Sequence, residues 1–473
     1  MAKEIIWSEY QKAIFDAVQN GTGNFVVIAR AGSAKTSSLV ESIKYIPNKK
    51  AKVLCIAFNK SIAVELEERI NKSYVEVRTL HSLGFSVIKK HFGKVAIDPN
   101  KSVSIIKGTF PPDYKCWEEI FLIDKAVSLC KGSMVDSPSK IDELMDNFDI
   151  EPVDLEREDF IKRVVRCLRL CKEKKDSVNF DDMIYLPVAY GMQFPRYDYV
   201  FIDEQQDLNL AQQHIALSCS TKDGRVFAFA DDFQAIYSWR GADENAVPNI
   251  IKRLNAKTLP LPISYRCGKA IIKMAQEYVP DIQHAPSAIE GSIKYITEDD
   301  LINKAVPGDF VISRTNAPLI KHAMNFIKHK IPANIQGRDI GANLKSIIKK
   351  SKKSDINSFN KWLDKWRDDE VRRLTVKRRN TDGVLDKYEC IQNLLEGAKS
   401  VSDLEKNIDD LFSDKDGHNI VLFLSCHKSK GLERKNVFMI RRTFRPGSSQ
   451  EETNLMYVCI TRSIESLTIV NKV

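Results

Sequence analysis

No run of the sequence approaches the roughly 18 consecutive apolar residues that a membrane-spanning helix requires. The first residues lack a long apolar run after a basic start, which argues against a secretory signal peptide. None of the ten cysteines belongs to a Cys-x-x-Cys pair, so neither a zinc nor an iron–sulfur site is expected. Internal repeats and long linkers of proline, glycine and serine are also missing. We therefore expect a reduced protein in the cytoplasm, with the nucleus as the alternative.

The composition is that of a folded protein with several domains. A chain of 473 residues is too long for one compact core and predicts roughly two to four domains. Hydrophobic residues make up 43% and charged residues 29%, which argues against global disorder. The net charge of +9 permits a polyanionic partner without requiring one.

Short apolar runs alternate with helical patterns, which predicts an α/β protein built on parallel sheets. The first run, residues 25–29, ends in a loop of small residues, and Lys35 opens a predicted helix. Further strands are predicted at 52–57, 199–202, 225–230, 309–313, 420–424 and 467–470. Residues 86–175 show helical spacing instead and are predicted to form a helical insertion.

The loop after the first strand has the setting of a nucleotide phosphate loop. Backbone N–H groups at the start of a helix, together with the helix dipole, favour a bound anion. The usual pattern has glycine at both ends, where this chain has Ala29 and Ala34, and a plain turn of small residues is the alternative reading. The predicted phosphate-binding residues are Gly32, Ser33, Ala34, Lys35 and Thr36, with the Thr36 hydroxyl also ligating Mg²⁺.

Two carboxylates end the apolar strand at 199–202. In a phosphoryl-transfer site, Asp203 would hold Mg²⁺ and Glu204 would polarise the attacking water. A helix cap is the alternative for this pair. The phosphate loop upstream favours the catalytic reading.

Nine short motifs follow one another in a fixed order. Together they resemble the motifs of superfamily 1 helicases of the UvrD/Rep type, in particular their compact phage and F-box-helicase branch. The segment from Asp231 to Gly241 is the most specific of them. The motifs lie at residues 9–11, 57–61, 79–83, 180–183, 203–207, 231–241, 264–266, 427–433 and 457–462.

The resemblance implies two RecA-like motor domains, each carrying an insertion. Residues 345–379 hold thirteen Lys or Arg and five Asp or Glu, so the first half of the second insertion is basic. These basic residues would contact duplex phosphates; a solvated charged face is the alternative. The expected parts are domain 1A at 1–85 and 176–257, helical insertion 1B at 86–175, domain 2A at 258–345 and 418–473, and a small basic insertion (a reduced 2B) at 346–417.

The resemblance also assigns ATP and Mg²⁺ as cofactors and gives roles to individual residues. Gln11 would read adenine, Tyr265 would stack on it, and Gln234 would sense the γ-phosphate. Arg266 and Arg462 would act as arginine fingers from the second domain, although a surface salt bridge is the alternative for either one. Glu433 would face the ribose or a phosphate. Because Ala34 replaces the family's glycine and Ser37 an arginine, weaker or retuned ATP binding is expected.

Single-stranded DNA would be held by stacking and backbone contacts. Trp239 is the main stacking candidate, although Phe58 and Tyr237 have burial in the core as an alternative. The predicted contacts are Phe58, His81, Tyr237, Trp239 and Arg240.

The predicted function is an ATP-dependent single-stranded DNA translocase and helicase, moving 3′-to-5′ in replication, recombination or repair. Expected partners are single-stranded DNA, forked or tailed duplex DNA, and replication or recombination proteins, with no membrane; the monomer is expected to be active. A protein-displacing translocase with weak unwinding, a scaffold with degenerate ATPase, and an RNA substrate remain alternatives.

Overall fold

The computed structural model describes residues 6–70, 72–148, 150–238, 241–243, 245–376, 381–412 and 419–471. These residues divide into two compact units. The first unit holds the described residues up to Arg30 and from Ala34 to Pro262, and the second holds Ala31–Ser33 and the described residues from Ile263 onward. Among the described helices, none is both long and apolar enough to cross a membrane.

The first unit is built on a six-stranded parallel sheet with the order β3-β2-β6-β7-β1-β8. Its central strands are runs of apolar, often β-branched residues, as buried parallel strands usually are. The strands are β1 (Phe25–Ala29), β2 (Val53–Ala57), β3 (Val75–Thr79), β6 (Tyr197–Ile202), β7 (Ser220–Ala230) and β8 (Lys257–Leu261), with a separate short pair of β4 (Ala96–Ile97) and β5 (Ser177–Val178).

Both faces of this sheet are buried. On β1, Val26 packs into one core while Phe25 and Val27 pack into the other, because successive side chains of a strand point to opposite faces. The helices α5 to α8 have a hydrophobic core of their own. The helices are α1 (Glu9–Gln19), α2 (Lys35–Ser42), α3 (Lys60–Ile70), α4 (Leu80–Phe92), α5 (Lys101–Lys107), α6 (Trp117–Ser133), α7 (Pro138–Asn147), α8 (Arg157–Glu173), α9 (Phe180–Ala189), α10 (Leu210–Ser218) and α11 (Ala246–Leu254).

The second unit contains another six-stranded parallel sheet, in the order β11-β16-β15-β12-β14-β13. Its strands are β11 (Ser292–Thr297), β12 (Phe310–Ser313), β13 (Ala333–Ile335), β14 (Val421–Ser425), β15 (Arg434–Ile440) and β16 (Ser463–Asn471), beside the short pair β9 (Ile263–Ser264) and β10 (Gln283–His284). The predicted α/β class with two parallel sheets is therefore confirmed.

The described residues of the helices between 338 and 411 share the hydrophobic core of the second sheet. Leu344, Phe359 and Leu404 belong to the same buried cluster as Val311 and Phe423 of the sheet. The helices of this unit are α12 (Lys269–Ala275), α13 (Leu301–Lys304), α14 (Ala317–Lys328), α15 (Arg338–Lys350), α16 (Ile356–Val376), α17 (Asp382–Leu395), α18 (Val401–Leu411), α19 (Cys426–Ser429) and α20 (Gln450–Ile460). The finer domain boundaries drawn from the sequence stay predictions.

Candidate functional site

The strand order of the first unit gathers the predicted nucleotide residues at one edge of the sheet. Strand β7 lies between β6 and β1, and all three strands are parallel. Their carboxyl ends therefore meet, and the loop after β1 adjoins the residues that follow β6 and β7. The crevice at the carboxyl ends of parallel strands is where α/β proteins commonly bind ligands.

The loop between β1 and α2 has two residues in the left-handed conformation. The φ angle is +72° at Gly32 and +57° at Ala34. A residue with a Cβ is strained there by about 1–2 kcal/mol, whereas glycine is not. No side chain caps the start of α2, so the N–H groups of its first turn are left for another acceptor. This local geometry fits a bound phosphate.

Lys35 forms an ion pair with Glu204. The distance between Lys35 Nζ and Glu204 Oε1 is 2.6 Å, and both side chains are largely buried. Burial alone would lower the pKa of Lys35, but the charges of Glu204 and Asp203 outweigh it and raise that pKa. The ammonium group therefore stays charged, which a phosphate ligand requires.

Thr36 and Asp203 bring two oxygen ligands together. The Thr36 hydroxyl donates to Asp203 Oδ2 over 3.3 Å. Burial, assisted by the charge of Glu204, raises the pKa of Asp203, because the fold removes the carboxylate from water. In the same loop, the Ser33 hydroxyl is buried and has no hydrogen-bond partner within the described structure. Hard oxygen donors and an unsatisfied polar atom suit a Mg²⁺–phosphate group.

Asp231, at the end of β7, forms a further buried group; the sequence pointed to its motif and to Gln234 but assigned no role to Asp231 itself. Its carboxylate lies 3.5 Å from Arg30 and accepts a hydrogen bond of 2.5 Å from the Gln234 amide. Gln206 joins the two strand ends, since it accepts from the Asp231 N–H at 3.0 Å and donates to Glu204. The signal available in the sequence was a second apolar strand ending in a carboxylate.

Gln11 is held against the helix that follows the phosphate loop. It closes a capping box with Ser8 at the start of α1. Its side-chain amide also donates to Ser38 of α2 over 3.0 Å. The structure thus ties the predicted adenine-reading residue to the element that carries Lys35 and Thr36.

The predicted DNA contacts are placed unevenly. Phe58 is 36% exposed and Tyr237 is half-buried, so neither is a fully buried core residue. The pKa of His81 is lowered by burial, although Asp181 opposes this, so the ring is neutral near pH 7. Trp239 and Arg240 lie outside the described residues.

In the second unit, three predicted residues from distant motifs come together. Arg266 pairs with Glu433 and also donates to the Thr461 carbonyl over 3.4 Å. Arg462 is 1% exposed and donates to the carbonyls of Val458 and Leu432 at 2.9 and 3.2 Å.

The environment of Arg462 is unusual for an arginine. Burial and the neighbouring charge of Arg266 lower its pKa to about 10, so it remains a cation at neutral pH. By contrast, Tyr265, the predicted adenine-stacking residue, is 43% exposed. The neighbouring Arg266 is 20% exposed, so this unit holds a fully buried and a partly exposed arginine side by side.

Comparisons with known proteins agree with these motifs. Residues 10–255 match the model of the UvrD/REP helicase N-terminal domain, and residues 421–470 match that of the UvrD-like helicase C-terminal domain. The chain is 25% identical over 293 residues to the ATP-dependent DNA helicase PcrA of Bacillus subtilis, which covers 56% of this chain and 38% of that protein. It is also 25% identical over 299 residues to PcrA of Staphylococcus aureus strain Mu50, covering 56% and 39% respectively. The match thus spans less than two fifths of these relatives.

Proposed function

Because the chain belongs to the UvrD/Rep helicase family, we propose that it is an ATP-dependent motor that moves along single-stranded DNA and unwinds duplex DNA. One observation carries the proposal. The Lys35–Glu204 and Thr36–Asp203 pairs join the helix start after the phosphate loop of β1 to the carboxyl end of β6, two strands of the same parallel sheet that are separated only by β7. The names of the PcrA relatives support the same activity.

ATP would bind with its phosphates at the start of α2. Lys35 would contact the β- and γ-phosphates, and the loop residues Gly32, Ser33 and Ala34 would offer their backbone N–H groups. Thr36 and Asp203 would ligate Mg²⁺, which, when bound, neutralises phosphate charge. The oxygen ligands and the buried Ser33 hydroxyl support this assignment.

The Lys35–Glu204 ion pair suggests how hydrolysis is controlled. A phosphate competes with Glu204 for the ammonium group of Lys35. Once Lys35 turns to the phosphate, the Glu204 carboxylate is free to orient the attacking water and accept its proton. Gln206 donates to Glu204 and would keep the carboxylate in place during this exchange.

We further propose that the second unit completes the reaction. Arg266 and Arg462 would neutralise charge on the γ-phosphoryl group, and Gln234 would report its presence. Glu433 would release Arg266 and face the nucleotide, while Gln11 and Tyr265 would hold the adenine. Nucleotide binding would then draw the units together, and hydrolysis would release them, which converts each cycle into a step along DNA.

The substrate would be single-stranded DNA, gripped by Phe58, His81, Tyr237, Trp239 and Arg240. We propose 3′-to-5′ movement, activity as a monomer on forked or tailed duplexes in the cytoplasm, and a role in replication, recombination or repair with partner proteins of those processes. Family membership supports these assignments.

Phosphate release with and without single-stranded DNA tests the proposal. We expect hydrolysis that DNA stimulates, and we expect Lys35→Ala to lose it by about a thousandfold, since a positioned cation is removed from the transition state. DNA and RNA homopolymers in parallel identify the substrate class. Hydrolysis that is absent in the wild-type protein would favour the scaffold alternative.

A second candidate is a translocase that displaces proteins but unwinds duplex DNA weakly. The observation in its favour is that α15 to α18 share the core of the second sheet. Parallel assays of forked-duplex unwinding and of protein displacement from single-stranded DNA separate the two candidates.

A further inference from the structure

The most exposed aromatic side chains of the first unit lie on two of its helices, α6 and α9. Among the described Phe, Tyr and Trp residues, four are at least half exposed: Trp117 at 50%, Phe121 at 58%, Phe180 at 58% and Tyr295 at 66%. The first three belong to the first unit. Exposed aromatic rings grouped in this way usually mark a binding surface.

The rings form a row. Trp117 and Phe121 are four residues apart on α6, and their ring centroids are 6.2 Å apart. Phe180 opens α9, and its ring lies 6.2 Å from that of His81 on α4. Phe121 and Phe180 line one open groove, which shares Ser128, Leu129 and Asp181 with a second groove lined by His81. The row therefore runs without a break from His81 to Trp117; we call it the α6 aromatic face.

Charges along this face have a distinct arrangement. Asp124 and Asp181 line the groove, and burial together with the Asp181 charge raises the pKa of Asp124 to about 6. Carboxylates at these positions disfavour phosphates inside the groove. Lys125 also lines the groove, but its Nζ donates to the Phe148 carbonyl over 3.1 Å. Lys107 lies at the outer end of the row, with its Nζ 4.0 Å from the centroid of Trp117, and places a cation there for a phosphate.

This pattern fits single-stranded DNA better than a protein partner. The core of a protein interface is depleted of charged residues. Here each aromatic ring has a charged neighbour, and the rings are spaced along a groove, which is the arrangement on which successive bases stack.

Building on the proposed function, we propose that the α6 aromatic face carries single-stranded DNA beyond His81. The bases turn inward to stack on Phe180, Phe121 and Trp117, and the phosphates turn outward, with Lys107 beside them at the outer end. The exocyclic amino groups of bases donate to the carboxylates of the groove, as they do elsewhere to Asp and Glu.

The test compares Phe121→Leu and Trp117→Leu with Tyr295→Leu as the matched control from the second unit. Leucine keeps apolar bulk at an exposed position but removes the stacking ring, so folding is preserved. Binding is measured by fluorescence anisotropy with oligodeoxycytidylates of increasing length, whose bases carry an exocyclic amino group, without nucleotide. We expect each α6 variant to lower affinity for long oligonucleotides by about tenfold, while short ones bind as before. Phe121→Tyr restores binding, and Tyr295→Leu changes nothing.

A second arm moves a short abasic stretch along the oligonucleotide. The wild-type protein loses affinity when the stretch lies on the α6 aromatic face, and Phe121→Leu does not. Equal affinity of Phe121→Leu and wild type at every length overturns the inference and points to a protein partner instead. If DNA still stimulates ATP hydrolysis in that case, the proposed function stands. A wild-type protein that neither binds DNA nor hydrolyses ATP overturns both.

Discussion

Buried ion pairs at the strand ends of the first unit and the buried ion pairs around Asp182 on α9, called the helical cluster, differ in how completely the fold satisfies their charges. At the strand ends, Lys35 and Glu204 remain 12% and 22% exposed. In the helical part, Asp182 lies 2.7 Å from the Nζ of Lys101 and 2.8 Å from that of Lys131, and all three side chains are 0% exposed. Only the first cluster has access to a ligand.

The two clusters also differ in their hydrogen bonds and in their backbone geometry. Lys101 also donates to the carbonyls of Cys171 and Lys174 at 2.9 Å each, so its three protons have three acceptors. The Asp182 carboxylate also accepts a hydrogen bond from the Asn179 N–H, which completes the capping box at the start of α9. The strand-end cluster instead includes Ala34 and Glu204, whose φ angles of +57° and +52° are strained. We infer that the helical cluster fixes structure, whereas the strand-end cluster is arranged to exchange partners.

The largest expected effect follows from removing the shared carboxylate of the helical cluster. Asp182→Ala leaves two buried lysines without a counter-charge and should lower the free energy of unfolding of the first unit by about 3–5 kcal/mol. Urea denaturation followed by circular dichroism measures this. Asp181→Ala, the adjacent and less buried carboxylate, is the control and should change stability by less than about 1 kcal/mol. Similar losses for both variants would remove the distinction between the clusters.

Glu204→Gln tests the other side of the comparison. ATP turnover should fall by about 10²–10⁴-fold, because the general base is lost. Stability should change by less than about 1 kcal/mol, since Asp203 and Asp231 still support the charge of Lys35. Single-turnover hydrolysis, together with binding of a fluorescent ATP analogue, separates chemistry from affinity. A variant with normal turnover would show that Glu204 serves only as the partner of Lys35.

Strands that are buried in the sheets were easier to predict from the sequence than strands that are partly exposed. The seven strands read from apolar runs are all present. The five strands of the two large sheets that were missed are β3, β8, β11, β13 and β15, and the first four lie at sheet edges. Edge strands are partly exposed, so their apolar pattern is weak; β11, for example, has no buried residue. Most interior strands have apolar runs that can be recognised from the sequence alone. The missed interior strand, β15, begins with three polar residues, so its apolar run is short.

The candidate site was predictable for a similar reason, but only in part. Asp203 and Glu204 follow β6 directly, and Lys35 and Thr36 follow β1 after its short loop, so their position at the carboxyl ends of the strands comes from local sequence. Partners from distant segments carry no such signal. Lys101 is 81 positions before Asp182, and nothing in the spacing indicates their ion pair. The strand order that sets Asp231 beside the phosphate loop is likewise a property of packing.

A smaller effect is expected at Ala34. Ala34→Gly removes the strain of the left-handed conformation, partly offset by the greater freedom of glycine in the unfolded chain, and should raise stability by up to about 1 kcal/mol. ATP should bind at least as tightly. Ala29→Gly is the matched control, since Ala29 is a buried strand residue and the same change there should destabilise by about 0.5–1 kcal/mol. If both variants shift the urea midpoint of the wild-type protein in the same direction, Ala34 is not strained by its left-handed conformation.

The smallest effect is a pH dependence at Asp231. Burial raises the pKa of this carboxyl to about 6 against the opposing charge of Arg30, whereas the unfolded value is about 3.9. Between these values the folded state holds the proton more tightly, so raising the pH through this range lowers the free energy of unfolding. Asp231→Asn removes that loss. Its stability relative to the wild-type protein should therefore increase by on the order of 1 kcal/mol between about pH 4 and pH 7. Urea titrations at several pH values measure the difference, in which the other titrating groups cancel. If the free energies of unfolding of the two proteins change with pH in parallel, the buried carboxylate of Asp231 is as well satisfied as that of the helical cluster. The contrast between the strand-end and helical clusters would then rest on Lys35 and Glu204 alone.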